Sequence, residues 1–202
     1  MKLFRLACYF ILFSLAAALP APAKDSPFVL KRELPPQPPD KYQRVYLADS
    51  SLSVDMPAPD PASDRLLRVG GREMHFVTIA SFPPISATNL NTQYIFAYAD
   101  LPKEMTSKNP NFSAARLVDD VHEAYFGVPK TIFKPNTSEE HTVGQAYFRK
   151  MSVKLPDTEK IAHFQYIYEH NRVYLLSVLA EAPNPGVEDY LSSLVVEHSL
   201  DR

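Results

Sequence analysis

Cysteine is almost missing from this chain: among 202 residues only Cys8 carries a thiol. Cys8 lies inside an N-terminal apolar run. The chain beyond it can therefore close no disulfide, bind no metal through thiolates and offer no thiol nucleophile. Tryptophan is absent, and glycine is scarce, five residues against 19 prolines. No P-loop or dinucleotide fingerprint is built from those glycines; the pair Gly70-Gly71 has no helix after it and reads as a tight turn. No G-x-S-x-G nucleophile elbow and no H-E-x-x-H zinc motif occurs, and no two histidines are spaced as shared ligands. Carboxylate pairs of the glycosidase kind leave no local signature and stay open. No cofactor or metal is expected. Charge of one sign is lacking too, at −2 overall.

The first 23 residues read as a secretory signal. Lys2 and Arg5 form a basic start, Leu6 to Leu19 is apolar, and Ala21-Pro22-Ala23 is a small-x-small cleavage pattern, placing the cut between Ala23 and Lys24. The apolar run is shorter than the ~20 residues that span a bilayer. Cys8 precedes the apolar core rather than following it, the reverse of a lipoprotein signal. An uncleaved, membrane-tethered N-terminus is the alternative. Cleavage removes Lys2 and Arg5 and no acid, so −2 becomes −4. A mildly acidic mature chain disfavours nucleic acid and anionic lipid as main partners. It is expected to be exported, periplasmic or secreted, with no transmembrane span after signal removal.

Residues 24–41 read as a tether. Pro35-Pro36-Gln37-Pro38-Pro39 favours extended polyproline II and suits a semi-rigid spacer. A single globular domain is expected over 42–202. Gln43 to Ala48 and Leu52 to Met56 read as strands across Asp49-Ser50-Ser51, and Met56-Pro57-Ala58-Pro59-Asp60-Pro61 stops the sheet. Arg65 to Val69 and Arg72 to Ser81 form a hairpin about Gly70-Gly71. Thr92 to Asp100 is apolar on both faces, which predicts a central strand. Ser113 caps a helix over 114–126, closed by Gly127, with Ala114, Leu117, Val118, Val121 and Tyr125 as its apolar stripe. Thr131 to Lys134 reads as a short strand, Asn136 to His141 as a polar loop and Gln145 to Leu155 as a strand. The strongest hairpin signal is Glu159 to Ala182, turning at Glu169-His170-Asn171-Arg172. Asn184 and Pro185 open a last helix over 186–194, and Val195 to Leu200 reads as a final strand.

Several clusters invite a chemical reading. Asp119, Asp120 and His122 suggest a metal site, but neighbours at i, i+1 and i+3 do not converge on a helix, so a solvated polar face is expected. Glu139-Glu140-His141 reads as loop chemistry. His163 falls on the wetter face of its strand, and His170 in a turn. Phe82, Pro83, Pro84 and Ile85 form an apolar loop outside the predicted elements and are the candidate partner-contact residues. Tyr166 and Tyr168 are read as core.

Leu52-Ser53-Val54-Asp55-Met56-Pro57, Ala99-Asp100-Leu101-Pro102, the helix after Phe112-Ser113, the hairpin Tyr166 to Leu176 and Tyr190-Leu191-Ser192-Ser193-Leu194 together give the order of a known architecture. Across most of residues 42–200 the chain resembles the PsbP/DcrB-like family of small exported proteins. The resemblance implies an α+β fold, an α/β/α sandwich with an antiparallel sheet of about six or seven strands and two main helices. It also implies a non-catalytic accessory or binding role on another envelope protein or complex. It carries over no site residue. A hydrolase with carboxylates dispersed in the sequence is the alternative from another class.

Overall fold

The computed structural model describes residues 42–47, 52–83, 91–106, 109–129, 133–156, 158–181 and 186–196. Strands β1 (Tyr42–Tyr46) and β2 (Leu52–Pro57) come first, followed by β3 (Ser63–Val69), β4 (Arg72–Ser81) and β5 (Asn91–Asp100). A 3-10 turn at Lys103–Met105 leads into helix α1 (Ala114–Phe126). Then come β6 (Thr137–Val143), β7 (Ala146–Lys154), β8 (Lys160–Glu169), β9 (Arg172–Glu181), the short helix α2 (Gly186–Leu191) and β10 (Val195–Val196). Seven strands form one antiparallel sheet in the order β3-β4-β5-β9-β8-β7-β6, and β1-β2-β10 form a second. The fold is α+β, dominated by the large sheet.

The chain leaves the small sheet at the prolines. Pro57, Pro59 and Pro61 have no N–H to give a ladder, so the strand cannot run on. Two bonds then fasten the crossing: Asp60 N–H donates to the Ala80 carbonyl at 2.7 Å, and the Ser81 hydroxyl donates to the Pro57 carbonyl. The separate three-stranded sheet was not foreseen from the sequence.

Strand β5 lies between β4 and β9, as its doubly apolar pattern requires. Its small face, Ile95, Ala97 and Ala99, lies under α1 with Val69, Phe76, Phe164, Tyr166 and Val173. Its large face, Tyr94, Phe96 and Tyr98, packs with Val54 and Met56 of the small sheet and with Tyr190 of α2. The large sheet is thus covered by a helix on one side and by the small sheet plus α2 on the other. Alanines beneath α1 let the helix sit close, while the aromatic side fills the thicker layer opposite.

Hairpin turns set the register. Gly70 and Gly71 both adopt positive φ, 54° and 85°, as a primed turn demands. The β8–β9 turn does the same with His170 and Asn171, at 48° and 61°. On β8, Ala162, Phe164, Tyr166 and Tyr168 are all buried in the α1-side core, whereas His163, Gln165 and Glu169 are half-exposed. Helix α1 matches the predicted bounds. The Ser113 hydroxyl accepts from Arg116 N–H at 3.3 Å, and Gly127 turns left-handed at φ 68°.

Three expectations need correction. Thr137–Val143 is a strand, β6, and not a polar loop: each residue is exposed, so no burial pattern announced it. Phe133 and Lys134 are not in a strand, and Thr131 and Ile132 lie outside the described residues. Helix α2 ends at Leu191, not 194: Ser192 N–H still bonds the Glu188 carbonyl, but the N–H and hydroxyl of Ser193 both turn to the Tyr190 carbonyl and close the last turn. The expected final strand is present at Val195–Val196 as β10; Asn184, Pro185 and residues 197–200 lie outside the described residues.

Candidate functional site

Two places gather side chains capable of function: a polar cleft beside α1, and an exposed aromatic surface on the small sheet. In the cleft, helical spacing on α1 brings Asp119 and His122 toward β7, where the i, i+2 pair Arg149 and Met151 shares their face. Phe133 and Pro135 complete the wall of a cleft of about 240 Å³. That is below the ~300 Å³ at which sites for drug-sized ligands begin.

His122 is a correction to the solvated-face reading. It is 4% exposed. Its Nδ1 shares a 2.6 Å hydrogen bond with the Tyr166 hydroxyl, and its ring lies 3.9 Å from that of Phe133 and 5.0 Å from that of Phe164. Val118 and Val121 are one turn and one residue away, so the apolar stripe includes position 122; only the residue type hid it. Burial, and then the positive charge of Arg149, lower its pKa to about 4, so the ring is neutral near pH 7. Burial also holds the Tyr166 phenol well above its ordinary range.

Arg149 organises the charges. Its Nη1 donates to Asp119 Oδ1 at 2.6 Å, and its Nε lies 3.9 Å from Glu140 Oε2. That Nε is buried without a hydrogen-bond partner among the described residues. Glu140 Oε2 instead accepts from the Tyr147 hydroxyl at 2.5 Å. Burial, then this bond to a carboxylate, push the Tyr147 phenol up, so it remains a donor. The two carboxylates therefore converge on a cation rather than on open space, which makes the cluster an ion-pair network around a neutral imidazole.

The metal-like triplet of α1 points three ways: Asp119 to Arg149, Asp120 to Arg116 at 3.9 Å and His122 inward to Tyr166. Among the described residues no three His, Cys, Asp or Glu are placed to hold a metal ion. His141 of the Glu139-Glu140-His141 run stacks on Phe148, rings 4.9 Å apart. Burial lowers the pKa of His163, Glu188 raises it and Lys150 lowers it.

The second place adjoins the predicted contact loop through Ser81. Phe82 is 40% exposed and Pro83 is buried; Pro84 and Ile85 lie outside the described residues. Phe82 follows Ser81, whose hydroxyl holds Pro57, and Pro57 is the register partner of Tyr42. Tyr42 is itself exposed, its hydroxyl bonded to that of Tyr94 at 2.9 Å. Along β1 the outward alternation continues through Arg44 to Tyr46, and Tyr46, Ser53 and Val195 form one cross-strand row. Arg44 grips Asp55 through Nε–Oδ1 at 2.7 Å and Nη2–Oδ2 at 2.9 Å, and its Nη1 donates to the Ser193 carbonyl at 2.8 Å. Tyr46 and Val195 remain exposed on either side of the small Ser53. These residues were missed from sequence, although Tyr42, Arg44 and Tyr46 alternate with Val45 and Leu47 and so announce an outward face.

No protein-family model matches the chain, and no curated protein matches it. Among the described residues no helix is long and apolar enough to cross a membrane.

Proposed function

We propose that this is an exported accessory or binding protein of the envelope, acting without catalysis through contacts with another protein. One observation carries the reading: Tyr42, Tyr46 and Val195 expose apolar surface around a bidentate Arg44–Asp55 pair, and Phe82 is exposed just past the end of β4. Tyrosine, phenylalanine and arginine are the types that anchor protein interfaces. Phe82 is the described, exposed member of the loop singled out from sequence. The PsbP/DcrB-like resemblance, with its α/β/α sandwich, supports the same role. So does the N-terminal signal, which would deliver the domain to the periplasm behind a Pro-rich tether.

Quantitative capture with the tagged mature protein, compared with a Phe82→Ala, Tyr46→Ser double variant, tests this. The expected result is a partner retained by the wild type and reduced at least tenfold by the variant, whose melting temperature is unchanged. A hydrolase is the second reading, favoured by Asp119 and Glu140 meeting at Arg149. Turnover of any substrate in a broad hydrolase panel, abolished by Asp119→Asn, would replace the first reading with the second. N-terminal sequencing distinguishes a chain starting at Lys24 from a membrane-tethered form with the signal retained.

A further inference from the structure

Strand β6 is an edge that buries nothing. All seven of its residues are exposed, it ends the large sheet, and among the described residues no strand pairs with its outer side. Natural edges are blunted by charged side chains, proline or a bulge; Thr137-Ser138-Glu139-Glu140-His141-Thr142-Val143 has no proline or lysine and an unbroken register with β7, and its only charges are the two glutamates, which repel a like-charged strand and admit a basic one. Besides its backbone ladder with β7, the strand is fixed by side-chain contacts. Thr137 bonds Ser152 at 2.8 Å, Glu140 accepts from Tyr147, and His141 stacks on Phe148. An ordered edge with no core contribution is a template for a strand from elsewhere.

The turn defines which groups are offered. Val143 and Ala146 close a two-residue turn, so they exchange both backbone bonds. Alternation then aims the N–H and C=O groups of Val143, His141, Glu139 and Thr137 at β7, and those of Thr142, Glu140 and Ser138 outward. Charge defines what fits. On the α1 side, Glu140 and Asp119 face one cation, Arg149. On the other side, Glu139 and Glu188 face one cation, Lys150, which is opposite the first and ion-paired with the second. Each face of the edge is left one negative charge in excess.

We propose that β6 docks an extended segment of a partner protein by strand addition, and that this segment carries two consecutive basic residues. Consecutive strand residues point to opposite faces, so one basic side chain meets Glu139 and its neighbour meets Glu140. In an antiparallel partner the residue opposite Val143, which is 64% exposed, is apolar. A second copy of this chain fits less well, because self-pairing centred on Glu140 sets that carboxylate against itself. The proposal does not rest on the aromatic surface.

The test is fluorescence anisotropy with a capped heptapeptide: one valine, two threonines, two lysines, two threonines. The expected result is binding that weakens as salt rises, at least tenfold loss in Thr142→Pro and in Glu139→Lys, and no binding of the peptide with glutamates for lysines. Thr142→Pro removes an outward donor and spares the β7 ladder. Amide exchange on the wild type provides a variant-free check, with the Ser138, Glu140 and Thr142 amides slowed at least tenfold by peptide. Equal binding by Thr142→Pro, unslowed amides, or dimerisation of the protein through β6 would overturn the proposal.

Discussion

Acid should loosen this fold through one imidazole. The His122 ring is enclosed by Phe126, Phe133 and Phe164, bonded to the Tyr166 hydroxyl, and faced by the Arg149 guanidinium with Asp119 behind it. Its pKa falls from the ordinary 6.5 to about 4 on folding. Between those values the unfolded chain holds more protons than the folded one, so stability rises with pH there. The contribution is fully present above about pH 6.5 and is lost as pH falls toward 4. At ~1.4 kcal/mol per pH unit, the whole window is worth roughly 3 kcal/mol, and about 2 kcal/mol of that is gone by pH 5. Urea unfolding of the wild type and of His122→Gln, from pH 7.5 to pH 4, isolates the term, because every other titrating group is common to both. The difference in stability between the two proteins should shrink by about 2 kcal/mol between pH 7.5 and pH 5. Parallel pH profiles would show that the ring is not held neutral by this enclosure and would refute the reasoning.

Other perturbations follow from the same packing. In Arg149→Gln the positive charge beside His122 disappears, so the ring's pKa should rise from about 4 yet stay below 6.5, since burial is the larger cause; imidazole carbon-proton shifts titrated by NMR give the value. Gly70→Ala forces a side chain into φ 54° and brings its Cβ to 3.0 Å from Asp120 Oδ2; thermal melts should report a loss of about 1–2 kcal/mol. His170→Gly relieves left-handed backbone at φ 48°. Its gain, net of glycine's greater chain entropy, should be about 0.5 kcal/mol in urea unfolding.

Much of this architecture is readable wherever a residue's type agrees with its place. Strand β5, apolar on both faces, announced itself as internal, and Ser113 and Gly127 marked the two ends of α1. The failures share a cause. Strand β6 has no buried face, so the alternation that reveals strands is absent, and its order comes from cross-strand contacts such as Tyr147 to Glu140. His122 sits on the buried stripe, but a polar type at that position reads as solvent-facing until Tyr166 is found 44 residues away bonded to it. Arg149 and Asp119 likewise meet only when β7 packs beside α1. The split into two sheets depends on where the chain turns after Pro57, a matter of layer crossing that local pattern does not encode.

The most direct measurement of the proposed contact role is site-specific photo-crosslinking in the intact envelope. A benzophenone residue is placed at Phe82, at Tyr46 and, as a control, at Leu66, which is 54% exposed on edge strand β3. An adduct of one mass from positions 82 and 46, absent at 66, is what the account predicts. Adducts alike at all three positions, or none at 82 and 46, would contradict it.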